Sequence, residues 1–140
     1  MGTFMSRIPS DRKLLQEIYD RHYKGFSAYS ETEPTRDSKI MVPIDIPAIA
    51  KHFKTDNDLI FGRLYYHLQE KYGYQRPHGE IVALFTPKAG QDKNCVNMPL
   101  VAAVLAGMQE EYGRHVWAFW LSIASLVVSI IALTLSLSAK

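Results

Sequence analysis

The side chains able to do chemistry are few. Five histidines (His22, His52, His67, His78 and His115) and one cysteine, Cys95, are the candidate metal ligands and nucleophile. No two histidines stand in the H-x-x-x-H spacing that would bring both imidazoles to one helix face, and Cys95 has no cysteine companion, so no metal site is expected. Catalysis at Cys95 would need His67 or His78 brought beside it to take the thiol proton. A lone cysteine in a strand reads instead as core packing. The stretch "GYQRPHG" (73–79) lacks both the G-x-x-x-x-G-K pattern and a Gly-x-Gly fingerprint and reads as a turn. No catalytic residue and no cofactor are expected. That leaves recognition chemistry, for which Tyr66 and Tyr74 are the candidate exposed anchors.

The elements that must position these residues divide the 140-residue chain in two. The 14 acidic residues and 15 of the 16 basic ones lie before Val116, which leaves that part near neutral at +1 (15 less 14). A general polyanion binder would carry a large basic excess. A single cysteine excludes an intramolecular disulfide framework and fits a reducing compartment. The N-terminus "MGTFMSRIPSDRK" has no apolar run of the signal-peptide kind, and Phe4 and Met5 make it a poor match to the myristoylation pattern.

From Val116 to Ser138 there are 23 residues without a charge, a helix of about 34 Å, enough for a ~30 Å hydrocarbon layer. Trp117 and Trp120 sit at its start, where indoles favour the headgroup zone, behind Arg114 and His115 as polar stops. Only Ala139 and Lys140 follow, so the expectation is a tail anchor with the head facing the cytoplasm. Within the span, Ala118, Ser122, Ser125, Ser129, Ala132 and Ser136 recur in steps of four and three and form one small-residue stripe. In lipid, helix association depends on close backbone approach, so the stripe reads as an interface between copies of this chain, crossing in the left-handed sense.

In the head, Ser10 is the expected N-cap of a helix whose Leu14, Leu15, Ile18, Tyr19, His22 and Phe26 share a face, with Lys24 and Gly25 at its end. The polar stretch 27–39 reads as an exposed, mobile loop. A short strand at 39–44 is confined by Pro43 to an edge or a strand end. Asp45 is placed to cap a helix over 46–53, with Ile46, Ile49, Ala50 and Phe53 turned inward. Thr55 and Asp58 form a near capping box for a second helix, 56–72. Its expected buried stripe is Phe61, Leu64, Tyr65, Leu68 and Tyr72, leaving Gly62, Arg63, Tyr66, His67, Glu70 and Lys71 outside. "EIVALFT" reads as a strand, "PKAGQDKN" as a hairpin loop and "CVNM" as the return strand. A last helix opens at Asn97 and Pro99, with Gly113 as hinge or C-cap before the span.

This order, helix, strand, helix pair, strand, loop, strand, resembles the winged-helix family over about residues 10 to 98. The resemblance lies in "IDIPAIAKHFKTDNDLIFGRLYYHLQEKYGY" as helix pair and "GEIVALFTPKAGQDKNCVNM" as wing. It implies a second helix that, in DNA-binding members, enters the major groove. Carried onto this sequence, Arg63, Tyr66, His67 and Glu70 would face bases, and Lys88, Lys93 and Asn94 would contact phosphate. Yet 56–72 holds Asp56, Asp58 and Glu70 against Arg63 and Lys71, a net of −1 where a DNA backbone demands the opposite sign. Tyrosine-rich faces suit protein contact, and winged helices serve as protein-binding modules too.

The expectation is therefore a mostly α chain with a small β-sheet. It comprises an N-terminal arm (1–9), a winged-helix-like domain (10–112), a juxtamembrane hinge (113–115), a transmembrane helix (116–138) and a two-residue tail (139–140). Its expected role is a non-enzymatic, membrane-tethered interaction or assembly module. It self-associates in the bilayer and meets a protein partner through Arg63, Tyr66, His67, Glu70 and Tyr74. The alternative is a membrane-bound DNA-binding regulator using Arg63, Tyr66, His67, Lys88 and Lys93.

Overall fold

The computed structural model describes residues 8–139. Residues 1–7 of the expected arm, the Met1-Gly2 myristoylation reading and Lys140 lie outside them. The chain is mostly helical with a small sheet, and contacts divide it into two units, Met1–Leu105 and Ala106–Lys140.

Helix α1 (Asp11–Ser27) starts at Ser10, whose hydroxyl accepts from the Lys13 amide at 3.3 Å. Leu14, Leu15 and Ile18 are fully buried, and Tyr19, His22 and Phe26 are half-buried on the same side. The helix runs through Gly25, which keeps a helical conformation, and ends two residues later than expected. Residues 28–40 carry no helix or strand, but they are tied down in a way that composition does not reveal. Arg36 donates to the carbonyls of Gly25 (3.1 Å) and Lys39 (2.8 Å) and lies 4.7 Å over the Tyr29 ring.

Strand β1 (Met41–Pro43) leads to α2 (Ile46–Phe53), which Asp45 caps by accepting from the Ala48 amide at 3.0 Å. Lys54 takes the left-handed conformation (φ 54°) and ends that helix. The next helical run begins one residue later than the expected capping box. Asp56, not Thr55, is the cap, accepting from Asp58 at 2.8 Å, while the Thr55 hydroxyl is buried without a hydrogen-bond partner.

That run comprises α3 (Asn57–Gly62), a π-helical segment (Arg63–Leu68) and α4 (Gln69–Tyr72). The buried residues are Ile60, Leu64 and Leu68. Of the expected stripe, Phe61 and Tyr72 are only half-buried and Tyr65 is exposed. The π segment supplies the reason. In an α-helix a step of four residues overshoots a full turn by about 40°, so a 60-64-68 column would drift off the core. The wider π turn keeps it in line.

The expected strand over 80–86 is two pieces. Tyr74–Gln75 (β2) and Ile81–Val82 (β3) form their own hairpin across the predicted turn. Phe85–Ala89 (β4) then pairs with Asp92–Asn97 (β5), so the expected loop 87–94 is mostly strand, closed by Gly90 (φ 61°) and Gln91. Glycine opens this two-residue turn because its first position needs positive φ. The carboxylate of Asp37 accepts from the Gln91 amide at 2.6 Å and so fastens the 28–40 segment to the hairpin tip. The break before β4 is held by Gln69, whose side-chain oxygen accepts from the amides of Leu84 (2.7 Å) and Phe85 (2.9 Å). The sheet order is β1-β5-β4, all antiparallel. Pro43 and Pro87 thus lie on edge strands, where a missing amide donor leaves no ladder bond unmade on the open side.

Helix α5 (Met98–Ser138) begins with the Asn97 side chain accepting from Leu100 at 3.1 Å, as expected, and supplies Met98, Val101 and Leu105 to the core. Gly113 lies inside this helix and is neither a C-cap nor a break. The core of the first unit draws on every helix but α4 and is wholly apolar: among the described residues no polar or charged side chain is fully buried. In the second unit, all side chains from Val116 to Ala139 are exposed, in a helix long and apolar enough to cross a membrane.

Candidate functional site

The column that keeps Ile60, Leu64 and Leu68 in the core also lines up Arg63, His67 and Lys71, four residues apart, on the neighbouring face. All three meet one carboxylate, that of Asp11 in the first turn of α1. Arg63 Nη2 pairs with Asp11 Oδ1, His67 Nε2 lies 3.0 Å from Oδ2, and Lys71 Nζ lies 3.4 Å from it. Arg63 Nη1 also donates to the Pro9 carbonyl at 2.7 Å. Burial pushes the Asp11 carboxyl up, but hydrogen bonds from His67 and Arg63 outweigh it and hold the group below its ordinary value.

The partner set expected from sequence is therefore split. Arg63 is half-buried and both ends of its guanidinium are engaged within the chain. His67 is half-exposed but bonded to Asp11. Tyr66 stands clear, 76% exposed, with Glu70 and Tyr74 exposed as well. Asp11 was not among the expected site residues. Its only local signal was a negative charge in a first helical turn, which reads as dipole compensation.

Tyr66 belongs to an aromatic ladder. Its ring meets Tyr65 edge-on at 5.0 Å, Tyr65 stacks on Phe61 at 5.6 Å, and Phe61 meets buried Phe85 edge-on at 5.7 Å. The ladder runs from solvent to core, so the exposed ring is held by packing and loses little freedom on contact. Leu59 and Ile81 add exposed apolar surface in the same unit. A cavity of about 220 Å³ opens beside Arg63, lined by Ile8, Pro9, Thr55, Leu59 and Ile60 among others.

Lys88 and Lys93 face each other as register partners across the β4-β5 hairpin, both exposed, with Asn94 beside them at φ 52°. Like charges directly opposite on a sheet repel. The remaining candidates are accounted for individually. Cys95 is fully buried in β5, and burial with the nearby Asp92 charge pushes its thiol up. His22 Nε2 accepts from the Asp45 amide at 3.3 Å, and burial pushes its pKa down. His52 lies 3.4 Å from Glu17 and His78 lies 3.2 Å from Glu80. Among the described residues no group of three His, Cys, Asp or Glu side chains is arranged to hold a metal ion.

In the apolar helix, Ser122 and Ser129 donate their hydroxyls to the carbonyls of Ala118 and Ser125, each at 2.9 Å. Those hydroxyl protons are used within the helix and leave only lone pairs for a neighbour. No protein-family model, curated protein or solved structure matches the chain.

Proposed function

We propose that this chain is a membrane-tethered, non-enzymatic interaction or assembly module. Its head has a winged-helix arrangement facing the cytoplasm, and its apolar helix spans the bilayer and self-associates. What supports the winged-helix reading is element order together with pairing: the strand before the helix pair joins the last strand of the hairpin, giving β1-β5-β4. The membrane reading is supported by a 23-residue uncharged run, 116–138, whose side chains are all exposed.

The observation that carries the protein-binding role is the contrast along one helix face. Arg63, the residue best suited to read a base, is committed to Asp11 and Pro9, whereas Tyr66 is presented to solvent on a packed aromatic ladder. A partner thus meets Tyr66 and its exposed neighbours, and Arg63 and His67 help by fixing the helix against α1. Clustering in the bilayer would raise the local concentration of such weak contacts. Crosslinking in intact membranes followed by mass spectrometry tests this reading. Foreign protein adducts that depend on Tyr66, with head-to-head adducts of the chain itself, are the expected result.

One observation favours the alternative of a membrane-bound DNA-binding regulator. Lys88 and Lys93 oppose each other without an acidic partner among the described residues, and a phosphate between them would relieve their repulsion. A salt-dependent shift of random duplex DNA by the detergent-solubilised chain, lost in a Lys88→Ala, Lys93→Ala double variant, would establish that role instead.

A further inference from the structure

Gly62 connects two features of the head. It lines the cavity of about 220 Å³ beside Arg63, and a β-carbon placed on it would stand 3.7 Å from the Tyr66 ring, in ordinary contact. The cavity therefore borders the side chain proposed above as the exposed anchor. Its walls are chiefly apolar, from Ile8, Pro9, Leu59 and Ile60, and Ile8 and Leu59 are themselves exposed. A cavity of about 150 Å³ already accommodates a benzene ring, so this one has room for a large apolar side chain.

Two polar groups in the same wall are unmatched. The Thr55 hydroxyl is shielded from solvent and has no hydrogen-bond partner, which is rare for a buried polar atom. The Asp58 carboxylate makes no ion pair or hydrogen bond among the described residues; only its backbone amide is engaged, by Asp56. Arg63, the cation in the wall, is already matched by Asp11 and the Pro9 carbonyl. Along 54–58, Lys54 stands against Asp56 and Asp58, a net of −1. An apolar cavity with an unpaired carboxylate and an orphan hydroxyl in its wall complements an apolar side chain that has a cationic one beside it.

We propose that this cavity takes the anchor of a protein partner: a large apolar side chain, with an adjacent lysine or arginine on the Asp58 carboxylate and a main-chain group of the same segment on the Thr55 hydroxyl. The site rests on the protein-binding reading of Tyr66 and names the chemistry of the partner that would meet it. The probes are two acetylated, amidated hexapeptides, Gly-Ser-Leu-Lys-Ser-Gly and Gly-Ser-Leu-Glu-Ser-Gly, and a third with serine in place of leucine in the lysine peptide. Each is titrated to millimolar concentration into the isotope-labelled full chain in detergent micelles, and amide shifts are read by NMR. The expected result is a set of shifts at Thr55, Leu59 and Gly62, with the lysine peptide binding about threefold tighter than the glutamate peptide, the size of one exposed ion pair. Loss of the leucine should weaken binding about tenfold or more. Asp58→Asn should equalise the lysine and glutamate peptides, and Gly62→Leu, which puts a side chain into the cavity, should remove binding of both. Asp58→Asn changes only an exposed carboxylate, so it decides the matter even where Gly62→Leu disturbs the fold.

Equal binding of the lysine and glutamate peptides by the native chain, or a preference that survives Asp58→Asn, overturns the site. Binding that appears only after residues 1–7 are deleted would assign the cavity to the chain's own N-terminus and overturns it. So does the appearance of the same shifts when the chain is concentrated without peptide, which would make a second copy the occupant. The interaction role is scored separately by crosslinking. Foreign crosslinks that depend on Tyr66 but persist in Gly62→Leu keep that role and overturn this site, whereas selective binding of the lysine peptide without any foreign crosslink keeps the site and removes the role.

Discussion

Arg63 and Asp11, 52 residues apart in sequence, form the ion pair that fastens the helical run 57–72 to the first turn of α1. Both are largely withdrawn from solvent, and Arg63 adds a hydrogen bond to the Pro9 carbonyl. Asp11→Ala leaves a half-buried guanidinium facing His67 and Lys71 with no anion among them. After discounting for partial exposure, the expected loss of head stability is about 1–2 kcal/mol. Arg63→Ala should cost a similar amount. In a double-mutant cycle the two should not add, because each change already removes the same interaction. Urea unfolding of the detergent-solubilised chain, followed by near-UV circular dichroism, measures it. Strict additivity would show that the pair carries no coupling.

Two shifted groups predict how the head responds to acid. Asp11 is held below its ordinary value of 3.8 in the fold, so its contribution is present above that value and is lost as pH falls through the folded pKa. His22 is held below 6.5, chiefly by burial, and accepts the Asp45 amide only when neutral. The fold therefore favours the neutral ring. This contribution is complete above 6.5 and is lost as pH falls from there toward the folded pKa. Both effects have the same sign, so stability should fall in two steps on acidification. His22→Gln, which offers an acceptor that does not titrate, should remove the upper step. Unfolding midpoints measured from pH 8 to pH 3 in both proteins decide the matter.

Gln69 holds the start of the β4-β5 hairpin through the amides of Leu84 and Phe85. Gln69→Leu keeps the helix propensity and much of the volume but leaves two part-buried donors unpaired, at a cost of about 1–3 kcal/mol. Hydrogen exchange should accelerate at Leu84 and Phe85 before it does in α1. Tyr66→Ala, at an exposed position, should leave the same unfolding midpoint nearly unchanged and act only on partner crosslinks. A Tyr66→Ala variant as unstable as Gln69→Leu would make the ring structural.

The small-residue stripe should respond to bulk. Replacing Ser122, Ser125 and Ser129 with Leu blocks close approach of a second helix, at ~0.6 kcal/mol or more for each lost contact. Because the Ser122 and Ser129 hydroxyls already donate to their own helix, replacement by Ala should preserve association. Dimer yield in a membrane reporter distinguishes the two series. Equal loss in both would mean that the serine oxygens, and not their small size, make the contact.

What was legible in the sequence alone was whatever depends on near neighbours. Ser10, Asp45 and Asn97 cap the helices they were expected to cap, because a side chain and an amide three residues on are brought together by the chain itself. The core face Leu14, Leu15 and Ile18 follows from helical period, and the long apolar helix from the want of any charge over 116–138. Tertiary structure decided the rest. The period of the second helix is altered by a π segment, which exposed Tyr65 and buried Ile60. The hairpin starts where Gln69 reaches it, and Asp37 fastens its tip from 54 residues away. Arg63 looked like a free recognition side chain because its anion lies on another helix. A spacing rule carries no information about which charge will stand opposite until the core packing of α1 against the helical run brings Asp11 and Arg63 together.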